Sequence, residues 1–142
     1  MTTVTERGPF VEIGIGKERY AIHIHEIHEI IKMQEITPIP GGRPNLLGVI
    51  NLRGKVTPVV SLRSRFGLPE APFTKSSRIV VIRHEEMMVG LVVDQVFQVT
   101  AIEDIQPPPD RAGGAEHPCI SGVGRAGAGL AGILKPERIL FG

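Results

Sequence analysis

The chain has 142 residues, a formal net charge of +1, 42% apolar residues, five Phe, one Tyr and no Trp. That length suits one domain with a real core and is too short for a two-domain enzyme. Acidic and basic residues are interleaved and stacking aromatics are scarce, which excludes a nucleic-acid-binding stripe and a polybasic membrane anchor.

Cys119 is the only cysteine. One thiol cannot form an internal disulfide, so a reducing compartment is expected. The opening Met-Thr-Thr-Val-Thr-Glu-Arg has no apolar signal core. The longest apolar run, residues 87–93, is far below the ~18 residues of a membrane span. A cytoplasmic protein without direct membrane insertion is the expectation.

Residues 1–9 read as a flexible tail and residues 10–142 as a single domain. The apolar residues are mainly Val, Ile and Leu, whose branching suits a pleated, half-buried surface. Residues 10–15 alternate apolar and polar positions, and Tyr20, Ile22 and Ile24 alternate with Ala21, His23 and His25. The period then shifts. Ile27, Ile30 and Ile31 follow the i, i+3, i+4 spacing of a helical face, which predicts a short helix or helical turn. Thr37-Pro38-Ile39-Pro40-Gly41-Gly42 stops it.

A strand is predicted over residues 47–53, a turn at Gly54-Lys55 and a returning strand over 56–60. Pro58 lacks an N–H, so that strand is expected at an edge or with a bulge. Residues 61–67 read as one helical turn, capped by Ser61 and stopped by Gly67. Residues 78–83 and 88–94 are apolar strands around His84-Glu85-Glu86, and residues 96–99 form another. Residues 105–110, with Pro107-Pro108-Pro109, read as a stiff extended connector. The glycine-rich end gives strands at 119–123 and 130–134, then a helical turn with Pro136 at its first position. About ten short strands argue for an all-β barrel or sandwich.

The stretch from Gly48 to Arg65 is the most informative. Period two places Val49, Asn51 and Arg53 on one face and Ile50 and Leu52 on the other. An arginine beside a hairpin turn can grip a partner's carboxylate or carbonyl. By composition alone, a solvated hairpin arginine is the plainer reading.

Asn51-Leu52-Arg53-Gly54, then Pro58, Leu62-Arg63 and Phe66-Gly67, resemble the signature of the CheW family. Tyr20-Ala-Ile-His-Ile with Ile27-His-Glu29-Ile30, Val89-Gly-Leu-Val-Val-Asp94 with Val96, Ile105-Gln106-Pro107 and Gly122-Val-Gly124 extend that resemblance in order over residues 10–141. The resemblance implies two small five-stranded SH3-like barrels packed together over a shared apolar core, with short helical turns. It implies a non-catalytic adaptor, without cofactor or metal, that couples chemoreceptors to the histidine kinase CheA. The receptor's cytoplasmic hairpin tip would dock between the barrels, through Arg53, Glu29, Ile27 and Asn51. The kinase's regulatory domain would dock on one barrel, through Gly48, Val49 and Pro58, where a side chain at 48 would obstruct close approach. A Glu29–Arg53 pair that orients the guanidinium is expected. The family usually carries an acidic residue where His23 stands, a departure that touches local charge only.

Other signals are weighed against this reading. His23, His25 and His28 form H-x-H-x-x-H, a conceivable zinc set, although a solvated strand face is the preferred reading. Gly122-Val-Gly-Arg-Ala-Gly127 matches a dinucleotide fingerprint on paper, but a strand rather than a helix follows. Cys119 lies near His117, yet no orienting partner or oxyanion donors can be placed for a nucleophile. The rivals to a chemotaxis adaptor are thus an adaptor of a non-flagellar chemosensory pathway and a small His-cluster metal enzyme.

Overall fold

The structure, a computed structural model, describes residues 9–108, 119–127 and 129–141. The expectations placed on residues 1–8, Pro109, Asp110 and His117 lie outside the described residues. Eleven strands occur among the described residues: β1 (Phe10–Ile15), β2 (Glu18–His23), β3 (Ile27–Lys32), β4 (Leu46–Leu52), β5 (Lys55–Ser61), β6 (Arg78–His84), β7 (Met87–Val93), β8 (Gln95–Thr100), β9 (Glu103–Gln106), β10 (Ile120–Ala126) and β11 (Gly129–Leu134). Helical pieces are short: a 3₁₀ turn at Ile24–Glu26, α1 (Leu62–Arg65) and α2 (Pro136–Phe141). No helix among the described residues is long and apolar enough to cross a membrane.

The strands form a six-stranded sheet in the order β8-β1-β2-β11-β10-β9 and a five-stranded sheet in the order β3-β6-β7-β5-β4. Neither ladder closes on itself. Both nevertheless curl, and the chain joins their edges. β8 and β9, the two edges of the first sheet, are consecutive in sequence and separated only by Ala101-Ile102. The expected five strands of that barrel therefore appear as six, because one bent strand supplies both edges. In the second sheet, the segment leaving β3 crosses to β4 and forms a bridge, Thr37 with Val49.

Three apolar clusters follow from this arrangement. Val11, Ile13, Ile15, Tyr20 and Ile22 of the first sheet meet Val80, Ile82, Val89, Leu91 and Val93 of the second, with Leu62, Cys119, Leu134 and Ile139. This is the shared core, where each fully buried aliphatic side chain contributes about 1.5–3 kcal/mol. The inner face of the first sheet holds Phe10, Ala21, Ile102, Ala126, Ala131 and Ile133. The inner face of the second holds Ile50, Val59, Ile79, Val81 and Val92. β1 is consequently buried on both faces, Glu12 included. The Glu12 carboxylate keeps its charge satisfied by accepting from Arg19 at 2.6 Å and from Gln98 at 3.1 Å.

The capping expectation at residues 61–67 holds. The Ser61 side chain accepts from the Ser64 N–H at 3.1 Å, and Gly67 has φ +78. Three expectations change. The helix read over Ile27, Ile30 and Ile31 is strand β3, with burial alternating residue by residue. Branched isoleucines pairing with β6 outweigh a chance helical spacing, and only Ile24–Glu26 turns helically. The connector at 105–110 begins inside a strand, β9, which pairs with β10.

Pro58 lies in β5, between β7 and β4, not at an edge. Val49, opposite Pro58, directs both its N–H and its C=O to Thr37, each at 2.9 Å. The Val49–Pro58 pair is thus a non-hydrogen-bonded one, and the proline nitrogen faces β7. The parallel ladder to β7 starts only at Val59, so no bond is lost. The irregularity sits on β4 instead, between Leu46 and Gly48.

Candidate functional site

The hairpin joining β4 to β5 has a two-residue turn, Arg53-Gly54, between the paired Leu52 and Lys55. Both turn residues have positive φ, +52 and +85. Such a turn matches the twist of a hairpin, but the first position favours Asn, Asp or Gly. Arginine there is held in a left-handed conformation costing roughly 1–2 kcal/mol. The Asn51 side chain compensates by accepting from the Gly54 N–H at 2.7 Å. Asn51 therefore shapes the turn that carries Arg53.

Glu29 comes from β3, at the opposite edge of the same sheet. The register of β3 on β6 shifts between Ile27 and Glu29, pairing them with Ile82 and Val81. This bulge turns the neighbours apart. Ile27 packs on the shared core, whereas Glu29 stands opposite Val81, a member of the second sheet's own cluster. Because the sheet curls, Arg53 Nη1 donates to Glu29 Oε1 at 2.5 Å. The expected pair is present, and it links the two edges of the sheet. Its side chains are unequally exposed, 69% for Arg53 and 19% for Glu29. The guanidinium is anchored at one end and open to solvent along the rest.

His28 extends this polar line. Its Nε2 lies 3.6 Å from Glu29 Oε1, and its Nδ1 lies 3.5 Å from Arg83 Nη2. The hydrogen bond from Arg53 holds the Glu29 carboxyl below the usual carboxylate range, and Glu29 raises Arg53 in turn. A depressed carboxyl contributes above its unfolded pKa and loses that contribution as pH falls through the folded value. The pair is therefore expected to persist from pH 8 down to pH 5. A carboxyl carbon-13 titration should place Glu29 below the ordinary ~4.3; a midpoint above that value would contradict the pairing.

Gly48, Val49 and Pro58 cluster on the β4–β5 ladder. Val49 and Pro58 face each other across it, and Gly48 is buried with φ +152. A Cβ on Gly48 would stand 2.1 Å from the Thr37 carbonyl oxygen and 2.9 Å from Pro38 Cα. The glycine is thus required inside the chain, by the segment that covers the β4 edge. Val49, Ile50, Asn51 and Val56 line an open cleft of about 370 Å³ with Gln34, Glu35 and Thr37. Val49 and Asn51, assigned to different partners from sequence, line the same cleft. Val56 is 74% exposed beside it.

The histidines do not converge as a metal set. His23 and His25 lie ring against ring, with centroids 4.9 Å apart, while His28 faces Arg83 and Glu29. Among the described residues no group of three or more His, Cys, Asp or Glu could hold a metal ion. Cys119 is buried in the shared core, and burial pushes its thiol pKa up, the reverse of what a nucleophile requires. Gly122 and Gly124 lie within β10, without the helix a dinucleotide needs.

Sequence reasoning missed Thr37 and Asp94. Thr37 belongs to a Pro/Gly stretch that carries stop signals and no pairing signal. Asp94, at the crossing between the sheets, offered one clue, a lone carboxylate between two apolar strands.

The CheW-like domain family model matches residues 9–141. The chain is 37% identical over 133 residues to the chemotaxis protein CheW of Helicobacter pylori, covering 92% of this chain and 80% of that one. It is 31% identical over 145 residues to the chemotaxis protein CheW of Treponema pallidum, covering 98% and 85%. The crystal structure of the scaffolding protein TtCheW from Thermoanaerobacter tengcongensis matches with a TM-score of 0.86 at 31% identity, covering 94% of this chain and 92% of that one.

Proposed function

Because this chain belongs to the CheW-like domain family, we propose that it is a chemotaxis adaptor that couples chemoreceptors to the histidine kinase CheA without catalysing a reaction. The working unit is the single domain beginning near residue 10. It acts in the cytoplasm and is recruited to receptor arrays by binding.

The observation that carries this reading is the Arg53–Glu29 pair. It fixes one end of an exposed guanidinium on a hairpin tip, and its remaining donors have no partner among the described residues. A planar donor fork held this way is pre-organised for a carboxylate or carbonyl of the receptor's hairpin tip, at little further entropic cost. Glu29 orients the cation, Asn51 shapes its turn and Ile27 supports β3 from the shared core. The kinase's regulatory domain docks on the β4–β5 ladder at Val49 and Pro58, with Gly48 keeping the β4 edge covered. Holding both partners raises their effective concentration for each other.

Titration calorimetry of the protein against a receptor cytoplasmic fragment and a CheA regulatory domain, each alone, tests this. Saturable binding to each is expected. Absence of binding to both contradicts it.

A further inference from the structure

From the residues that join the two sheets, we infer that Asp94 and Arg63 form a polar joint setting the angle at which the hairpin-bearing sheet meets the first sheet. The inference rests on the adaptor reading and adds positioning residues to it. Asp94 stands where the chain leaves β7 of the second sheet for β8 of the first. Its backbone N–H donates to Gly14 O at 3.0 Å. Its Oδ2 accepts from the Gly16 N–H, at the tip of the β1–β2 hairpin, at 2.6 Å. Its Oδ1 accepts from Arg63 Nε, on α1, at 3.1 Å. Arg63 Nη1 donates onward to Pro69 O at 2.8 Å. Both side chains are partly sheltered, 24% and 33% exposed. Charge-assisted bonds in such a setting are stronger and more directional than surface pairs.

α1 connects this joint to the hairpin that carries Arg53. It follows β5 without a break, so the strand returning from Arg53 runs directly into it. Leu62 is fully buried in the shared core. Ser64 Oγ donates to Asn45 Oδ1 at 2.7 Å, ahead of β4. Arg65 donates to the carbonyls of Ile139 and Arg138 at 3.2 and 3.1 Å, tying α2 to the same point. One helical turn thus links the hairpin strands, the C-terminal helix and, through Arg63–Asp94, the first sheet. The hydrophobic effect across the core is non-directional, whereas the joint is directional. The first sheet is held at a fixed angle to the sheet that carries both docking surfaces because of it.

The test uses Asp94→Asn and Arg63→Gln, the second of which leaves the acceptor for Gly16 intact. In the free proteins, residual dipolar couplings compare amides of β1–β2 with amides of β4–β5. Each sheet should fit one orientation internally, with the two orientations rotated against each other relative to wild type. With the receptor fragment and the kinase regulatory domain as probes, each separate affinity should stay within twofold. Unchanged inter-sheet orientation in both variants overturns the proposal. Equal loss of both separate affinities overturns it too, since that marks general destabilisation. If Asp94→Asn does not fold, Arg63→Gln decides alone. If wild type binds neither partner, the adaptor reading fails, while the couplings of the free protein still decide the joint.

Discussion

Gly48→Ala is expected to lower the unfolding free energy by about 3 kcal/mol and the melting temperature by roughly 10 °C. The added methyl would stand 2.1 Å from the Thr37 oxygen and 2.7 Å from the Thr37 carbonyl carbon, both backbone atoms. No rotamer change can relieve that contact, and φ +152 is itself unfavourable for alanine. Either β4 shifts or the Thr37–Pro38 segment lifts away, with loss of the two 2.9 Å bonds to Val49. Hydrogen exchange at the Thr37 and Val49 amides should rise with the lower melting temperature. A variant melting within ~2 °C of wild type, with those amides still protected, would contradict this account. Any loss of kinase binding in the destabilised Gly48→Ala protein would come from a displaced cover on the β4 edge. Simple obstruction of the partner's approach would leave stability untouched.

Arg53→Glu is expected to weaken binding of the receptor fragment at least ~30-fold, about 2 kcal/mol, with the kinase domain's affinity within twofold. It removes the exposed cation and sets a second carboxylate against Glu29. Reversing Glu29 to Arg as well restores an opposite-charge pair on the same spot and should recover most of the lost affinity. No recovery would refute the pair as the feature the partner reads. Arg53→Asn separates binding from folding. Asparagine suits the positive-φ turn position better than arginine, so stability should be unchanged or up to ~1 kcal/mol higher while receptor binding falls. An arginine kept where it strains the turn is what a binding role leads one to expect.

Local signals read well where one residue type enforces one geometry. Ser61 and Gly67 bounded α1, Pro136 opened α2, and the Arg53-Gly54 tip lay within one residue of the expected turn. The all-β class was visible from branched residues and turn spacing. What could not be read was anything set by closure of the sheets. The isoleucines at 27, 30 and 31 fit a helix on spacing, and only pairing with β6 and the bulge at His28 decide for a strand. Pro58 suggests an edge until Thr37 is seen to take both hydrogen bonds of Val49. The Glu29–Arg53 pair joins residues from opposite edges, a proximity that no local pattern encodes and that only the family resemblance suggested. Neither a local pattern nor the family resemblance pointed to the contacts of Asp94, whose partners Gly16 and Arg63 are distant in sequence.

The most direct test of the account is whether one molecule holds both partners at once. Wild-type protein would be mixed with the receptor cytoplasmic fragment and the CheA regulatory domain and examined by sedimentation velocity, with each partner carrying its own label. The account predicts a boundary in which both labels move with the adaptor, and its loss of the receptor label alone in Arg53→Glu. Two boundaries in which each partner displaces the other from the adaptor would contradict it.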